Sequence, residues 1–411
     1  MSMRYFIPDW DDRVDPGYDF AADQHTPERV PYRDDRYAHE IYNPPPYDGV
    51  LISRVTLDDN ATKYHTIQEL GSVHRYLRLP VEGGYQVMGD CGAFSYWNQA
   101  EPPYQTPDIL DYYHTFGFDL GVSIDHLIFT SDQVERERRW HLTMDNAREF
   151  LRLHQAGGYR FTPVGVAQGW NPESYQRAVK ALIAMGYGHI AIGGLVRSQN
   201  KPIIEVLTSV KEVLPAGIAV HLFGVSRPEQ VPTFMRLGVT SFDSASRLRK
   251  AWTDDRKNYY LGDQTFTAIR IREAGKLARE KGLDEATTRP REQAALQALR
   301  AYDRGDGTLE QAYEAILAYA ELGGPLKERM QVDYRETLQE KPWQHCSCVI
   351  CQRIGVEVII FRGNNRNRRR GFHNTWHLYQ QLQETQARSN GIAPPETIRE
   401  LAMDMEPEPD Q

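Results

Sequence analysis

From about residue 49 onward, short apolar runs, each closing on a polar residue or a glycine, alternate with helical patterns. The runs fall at 49–55, 85–90, 118–125, 161–168, 189–194, 218–224 and 239–243. Near-continuous apolar runs of this length suit strands buried on both faces, and helices between them suit a parallel sheet covered by its crossovers. One intervening helix is legible residue by residue. Asn171 caps it, Pro172 suits its first turn, Tyr175, Val179, Leu182 and Met185 form one apolar face, and Gly186 stops it. Further helices start near Pro202 and Pro228. Seven strands in this rhythm predict an α/β fold, a TIM-like (β/α)8 barrel with one strand still to be placed. The competing open, doubly wound sheet is weakened because no GxGxxG follows a first strand and no GxxxxGK occurs.

The rhythm stops on either side of a barrel core set at 49–257. Residues 1–48 are rich in Asp, Pro and Tyr, show no sustained periodicity and read as an acidic lead segment. Its Asp9, Asp11, Asp12 and Asp15 lack the spacing and glycine of a calcium loop and read as solvated or packing residues. Residues 258–340 carry helical patterns at 266–281, 291–303 and 309–322, which makes them a helical insertion. Residues 341–390 combine a cysteine cluster, a strand-like 356–361, a basic loop and a closing helix from about 372. Residues 391–411, with Pro394-Pro395 and alternating Glu and Pro at 406–409, read as a disordered acidic tail.

Charge sharpens this division. The 411 residues hold 48 Lys and Arg against 56 Asp and Glu, a formal charge of −8 that by itself argues against a nucleic-acid partner. The acids sit at the ends: residues 1–60 carry 13 acidic and 6 basic side chains, and residues 391–411 carry six acids and Arg399. The body between them is therefore mildly basic, at +4. No apolar stretch approaches the roughly 18 residues of a membrane span, and the Asp-rich start does not read as a signal peptide. Three of the four cysteines lie within six residues, a poor disulfide framework and a good metal cluster, which favours a reducing, cytoplasmic setting.

The polar residues that end the apolar runs are Asp90, Asp125, Gln168, Gly194 and Asp243. In a parallel barrel the C-terminal strand ends converge on one mouth, so these residues face one another there. Paired carboxylates suit displacement at an anomeric carbon, one as nucleophile and the other as proton shuttle. Nothing in that pairing separates a sugar leaving group from a nucleobase. Cys346, Cys348 and Cys351 form CxCxxC, with His373 and His377 following. Three thiolates and one imidazole make a closed tetrahedral site for a structural Zn2+. Between them lie Arg362, Arg366, Arg368, Arg369 and Arg370, spaced by Asn and Gly, a phosphate-contacting loop if it is not simply a solvated face. Arg247, Arg249 and Lys250 add charge just after Asp243.

Taken in order, these segments resemble the tRNA-guanine transglycosylase superfamily over roughly residues 45–385. Met88-Gly89-Asp90-Cys91-Gly92-Ala93-Phe94 looks like its first aspartate loop and Ser123-Ile124-Asp125 its second. Gly165-Val166-Ala167-Gln168-Gly169, Ala191-Ile192-Gly193-Gly194-Leu195, Phe223-Gly224-Val225 and Ser241-Phe242-Asp243 follow, then CxCxxC and His373-Asn374. The resemblance implies a barrel with an inserted zinc subdomain and exchange of guanine for a 7-deazaguanine. It also implies Asp243 as the nucleophile that holds a covalent nucleoside and Asp90 as general acid and base. Asp125, Gln168, Gly194 and Leu195 would read the base, Phe94 would stack on it, and His373 rather than His377 would complete the metal site.

Several departures point to one branch. Ser95, Ser244 and the stretch 245–249 differ from the tRNA enzymes' pattern, and Asp243 and Cys346 are separated by 103 positions. The opening 6–13 and the Arg362-Gly363-Asn364-Asn365-Arg366 segment resemble the DpdA branch, which places 7-deazaguanines such as preQ0 in DNA. That branch implies DNA as the polymer and an ATPase partner encoded alongside, and it leaves the oligomeric state open. A tRNA enzyme and a noncatalytic nucleic-acid-binding subunit are the alternatives. A glycosidase acting on free sugars gives no reason for the zinc or the arginines.

Overall fold

In the computed structural model, which describes residues 3–80 and 83–389, eight parallel strands close into a barrel in chain order. They are β1 (Arg4–Pro8), β2 (Gly49–Ser53), β3 (Gln86–Asp90), β4 (Leu120–Val122), β5 (Thr162–Ala167), β6 (His189–Ile192), β7 (Ala219–Leu222) and β8 (Ser241–Asp243). Seven of them lie in the apolar runs. The eighth, β1, lies inside the stretch read as an acidic lead. Phe6 stands opposite Gly49 of β2 and Asp243 of β8, so this short strand closes the ring. Gln386 fixes its start, donating to the Met3 carbonyl at 2.9 Å and accepting from the Met3 N–H at 2.7 Å.

Inside the barrel, Phe6, Leu51, Met88, Leu120, Val122, Val164, Val166 and Ala191 form one buried cluster. It is a filled core, so chemistry is confined to the rim. Outside, helices return the chain between strands. In Pro172–Met185, Asn171 accepts from the Ser174 N–H and Ser174 bonds back to the Asn171 N–H, a reciprocal cap, and Gly186 ends the helix at φ 106°. Helix Thr106–Phe116 packs unusually close to the sheet. Its Tyr113 ring lies where a Cβ on Gly89 of β3 would stand, and 2.6 Å from where one on Gly121 of β4 would stand. Those two glycines are partners across the ladder.

The chain divides into two compact units. Among the described residues, the barrel unit takes 3–11, 47–80, 83–245 and 382–389, and the second unit takes 12–46 and 246–381. The lead segment thus contributes to both units. In the second unit a hairpin, β9 (Tyr259–Leu261) with β10 (Gln264–Phe266), turns on Gly262 at φ 54° and ends where the first insertion helix is expected to begin, at 266; that helix starts at Ala274 instead. Helices Glu285–Arg304, Leu309–Ala320 and Glu328–Glu340 follow.

The basic loop expected at 362–370 is the first part of a helix, Gly363–Ser389, and its arginines are largely buried. Arg362 pairs with Asp23 and Glu292 at 2.6 Å, and Arg366 pairs with Glu357 at 2.7 Å and with Asp23. Arg369 donates to the Asp15 carbonyl at 2.6 Å, and Arg370 to the carbonyls of Val358, Ile360 and Ala251. Only Arg368 keeps substantial exposure, with Asp12 at 3.6 Å. Their charge is spent on internal acids and carbonyls, which corrects the expected phosphate loop. The acidic tail at 391–411 lies outside the described residues.

Gly89→Ala, by forcing the Tyr113 ring away, is expected to cost about 1–3 kcal/mol in denaturant unfolding. Gly188→Ala, where a Cβ meets open space, should leave stability nearly unchanged.

Candidate active site and metal cluster

The residues predicted at the strand ends do converge. Asp90 is the last residue of β3 and Asp243 the last of β8; Gln168 follows β5 directly, Asp125 lies three residues beyond β4 and Gly194 two beyond β6. Asp125, Gln168 and Asp243 are buried. Gln168 Nε2 donates to Asp125 Oδ2 at 2.6 Å, while Gln168 Oε1 is buried with no donor among the described residues. The Gly193-Gly194 pair makes room for that amide. A Cβ on Gly193 would collide with Gln168, and one on Gly194 would stand 2.8 Å from Gln168 Oε1 and 3.0 Å from the Tyr175 hydroxyl. Gly194 also holds φ 79°, which favours glycine. Tyr175 fixes the turn by donating to the Gly193 carbonyl at 2.8 Å. Leu195 is buried behind it, and Phe94, on the short helix Ala93–Tyr96 after β3, is 48% exposed.

Asp243 is held from one side. Its Oδ1 accepts from the Gly224 N–H at 2.8 Å and meets His221 Nε2 at 3.2 Å, leaving Oδ2 with no hydrogen bond among the described residues. His221 Nδ1 lies 2.9 Å from the Ser241 hydroxyl. Because a carboxylate only accepts, the arrangement that satisfies both contacts has Nε2–H donating to Asp243 and Nδ1 accepting from Ser241. His221 and Ser241 are opposite each other across β7 and β8, so Ser241 and Asp243, two residues apart, face the same ring. Sequence reasoning missed His221, although a lone imidazole within the apolar run 218–224 was the available signal.

Burial pushes the Asp90 carboxyl up to about 6; the Gly92 and Cys91 N–H groups and the Ser53 hydroxyl oppose that, and the Asp243 charge adds to it. Burial pushes Asp125 up to about 7, reinforced by the Asp90 charge and opposed by the Gln168 amide. A carboxyl that keeps its proton toward neutrality beside an anchored carboxylate with one free oxygen can run acid and nucleophilic chemistry at one centre. Cys91 is buried against Tyr113 and the Val122 carbonyl, which suits packing.

In the second unit, Cys346, Cys348, Cys351 and His373 present four ligand atoms within 4.8 Å of one another and could hold a metal ion. His373 Nδ1 lies 3.5, 3.3 and 3.3 Å from the three sulfurs, and its Nε2 donates to the Tyr260 carbonyl at 2.6 Å, which leaves Nδ1 free to coordinate. His377 Nε2 is 3.3 Å from Cys346 Sγ and lies outside the four-atom set. Arg247 stacks on Tyr260 with its guanidinium 3.8 Å from the ring centre, and Arg249 and Lys250 are exposed on helix Ser246–Thr253. No helix among the described residues is long and apolar enough to cross a membrane.

Comparison with known proteins gives a consistent picture. The pattern of the TGT family, queuine tRNA-ribosyltransferase, matches residues 51–388. A DNA-guanine transglycosylase from Salmonella montevideo is 40% identical over 93% of this chain and 97% of its own length. A queuine tRNA-ribosyltransferase from Chromohalobacter salexigens is 34% identical over 39% of this chain and 42% of its own. A tRNA-guanine(15) transglycosylase from Thermoplasma volcanium is 26% identical over 52% of this chain and 34% of its own.

The raised Asp125 carboxyl links the site to stability. Its contribution is fully present below about pH 4 and is lost as pH rises through about 7. Asp125→Asn removes that dependence, so its melting temperature is expected to gain on wild type between pH 5 and pH 8. Parallel profiles for the two proteins would contradict the burial of an ionisable carboxyl here.

Proposed function

Since the chain belongs to the queuine tRNA-ribosyltransferase family, we propose that it is a DNA-guanine transglycosylase, exchanging guanine in DNA for a 7-deazaguanine of the preQ0 kind. One observation carries the chemistry: Asp243, anchored through a single oxygen, shares the barrel rim with an Asp90 that keeps its proton to about pH 6. The choice of polymer is supported by near end-to-end correspondence with a DNA-guanine transglycosylase, whereas the tRNA enzymes align over about half of this chain or less.

In this reading Asp243 Oδ2 attacks C1′ of the nucleotide while the C1′–N9 bond breaks, and the departing guanine takes the proton of Asp90. A deoxyribosyl ester on Asp243 results. The incoming base then loses its N9 proton to the Asp90 carboxylate and attacks C1′, releasing Asp243 and retaining the anomeric configuration, as in retaining glycosidases. Asp125 accepts from the Watson–Crick N–H groups of the base, and the unpartnered Gln168 Oε1 offers a further acceptor. The Gly194 and Leu195 backbone meets the exocyclic groups, and Phe94 stacks on the ring. A guanine inside a duplex cannot present C1′ to this rim, so the nucleotide must be flipped or the strand opened, at a few kcal/mol. The chain has no phosphate-binding loop of its own, which fits an ATPase partner doing that opening in the cytoplasm. Arg249 and Lys250 remain the exposed members of the predicted basic set and are assigned to phosphate.

The metal is proposed to be a structural zinc. Tetrahedral zinc with three thiolates and an imidazole sets its S···N separations at ~3.6 Å, and the 3.3–3.5 Å found here fit that donor set. With all four positions filled by protein, the ion supplies folding energy, on the order of 10 kcal/mol, and no step of the exchange.

Two outcomes are expected. Labelled preQ0 is incorporated by the purified protein into guanine-containing single-stranded DNA and not into tRNA, with the base-release step slowing as pH rises through about 6 as Asp90 loses its proton; incorporation into tRNA alone would overturn the assignment. Metal analysis finds one zinc per chain, lost in His373→Ala and kept in His377→Ala; the reverse result would exchange the two histidines.

A further inference from the structure

With the arginines of helix Gly363–Ser389 buried, the barrel unit must meet single-stranded DNA through other groups, and its rim loops supply them. Trp97 and Phe94 are 43% and 48% exposed and are joined through Phe129 into one apolar patch, the kind of surface that marks an interaction site. Its ring lies 6.2 Å from Phe129, which in turn is 5.9 Å from Phe94, so the three rings run on from one another. Trp97 and Phe94 belong to the connection after β3, and Phe129 to the one after β4. All such connections in a parallel barrel emerge on the face that carries the strand-end carboxylates.

The same face carries positive charge that is not neutralised. Arg197, exposed after β6, sets its guanidinium 5.8 Å from the Phe129 ring centre. Arg136 donates to the Thr130 carbonyl at 2.7 Å and lies 6.0 Å from the Trp170 ring, and Arg227, after β7, donates to Asn200 and the Ser226 carbonyl. None of the three has a carboxylate within ion-pair reach among the described residues. Their neighbours differ: Arg138 and Arg139 pair with Glu135, and Arg177 pairs with Glu137. Two exposed rings joined through Phe129, flanked by guanidinium groups without acids, offer the two things a single strand needs, ring surface for its bases and a phosphate track.

We propose that Trp97, backed by Phe129, is the stacking platform for the nucleotides flanking the target guanine, and that Arg197, with Arg136 and Arg227, holds the adjoining phosphates. The occupant is single-stranded DNA. This rests on the transglycosylase reading and deepens it, because the surface begins at Phe94 and so prolongs the base pocket outward. It also assigns the strand a path on the barrel rim, with sequence-tolerant stacking and without base-edge readout.

The test uses the full chain and a fluorescent single-stranded oligodeoxynucleotide with one guanine, with binding followed by anisotropy across a salt series. Trp97→Ala is expected to weaken binding about tenfold. Arg197→Gln is expected to lower the salt slope by about 0.7. In both variants the KM for DNA rises while kcat and the KM for the free 7-deazaguanine stay at wild-type values. Wild-type binding and salt slope in both variants, or an equal loss against the free base, would overturn the surface. Binding is read without turnover. A wild-type protein that binds this strand, weakened by the substitutions, yet exchanges no guanine would overturn the transglycosylase reading and leave the surface standing.

Discussion

Three carboxyl groups meet at the rim of one barrel, where withdrawal from water first and mutual repulsion second make charge costly, and much of the local structure answers that cost. Asp125 receives the Gln168 amide, Asp243 receives the Gly224 N–H and His221, and Asp90 keeps its proton to about pH 6. Each remedy makes its own demand. The Gln168 amide needs the space left by Gly193 and Gly194, which Tyr175 locks in place. The His221 contact needs Ser241 on the opposite strand to fill the other ring nitrogen. A carboxyl, a carboxylate and a buried hydrogen-bonding floor arise together from a single electrostatic problem solved in three ways.

Charge elsewhere in the chain follows the same logic over a longer distance. The acids concentrated near the N terminus and the arginines at 362–370 look like separate features in sequence, a solvated end and a basic loop. In the second unit Asp23 bridges Arg362 and Arg366, Glu357 takes Arg366 and Arg300, and Glu292 takes Arg362. Removing one partner of these buried pairs would cost several kcal/mol, so they tie the segment around Asp23 to the helix that begins at Gly363. The net charge of −8 therefore says little about nucleic acid. What matters is where a guanidinium without an acid faces solvent, as Arg197 does on the barrel rim.

Much of this was legible beforehand because barrel strands announce themselves twice, by apolar runs and by the polar residue that ends each run. Asp90 and Asp243 close their strands in the structure as the pattern requires, and Asn171 with Gly186 brackets its helix. β1 escaped because five residues that include Arg4 and Pro8 are too short and too mixed to show a period, and their register is set by Gly49 and Asp243, far along the chain. The first insertion helix starts at Ala274 and not at 266 because Phe266 closes a hairpin, whose backbone pairing with Tyr259–Leu261 leaves no periodic mark in three-residue strands. The arginine run was misread because periodicity reports a helix's own faces, whereas its burial depends on acids more than 300 positions away.

Every role proposed for the rim depends on Asp243 as the group without which guanine in DNA is not exchanged. It is tested most directly by mass spectrometry of nucleosides from the DNA of cells carrying either the wild-type protein, with its encoded partners, or Asp243→Ala. A 7-deazaguanine deoxynucleoside present with the wild type and absent with the variant is the predicted result. The same modified nucleoside at equal abundance in both would contradict it.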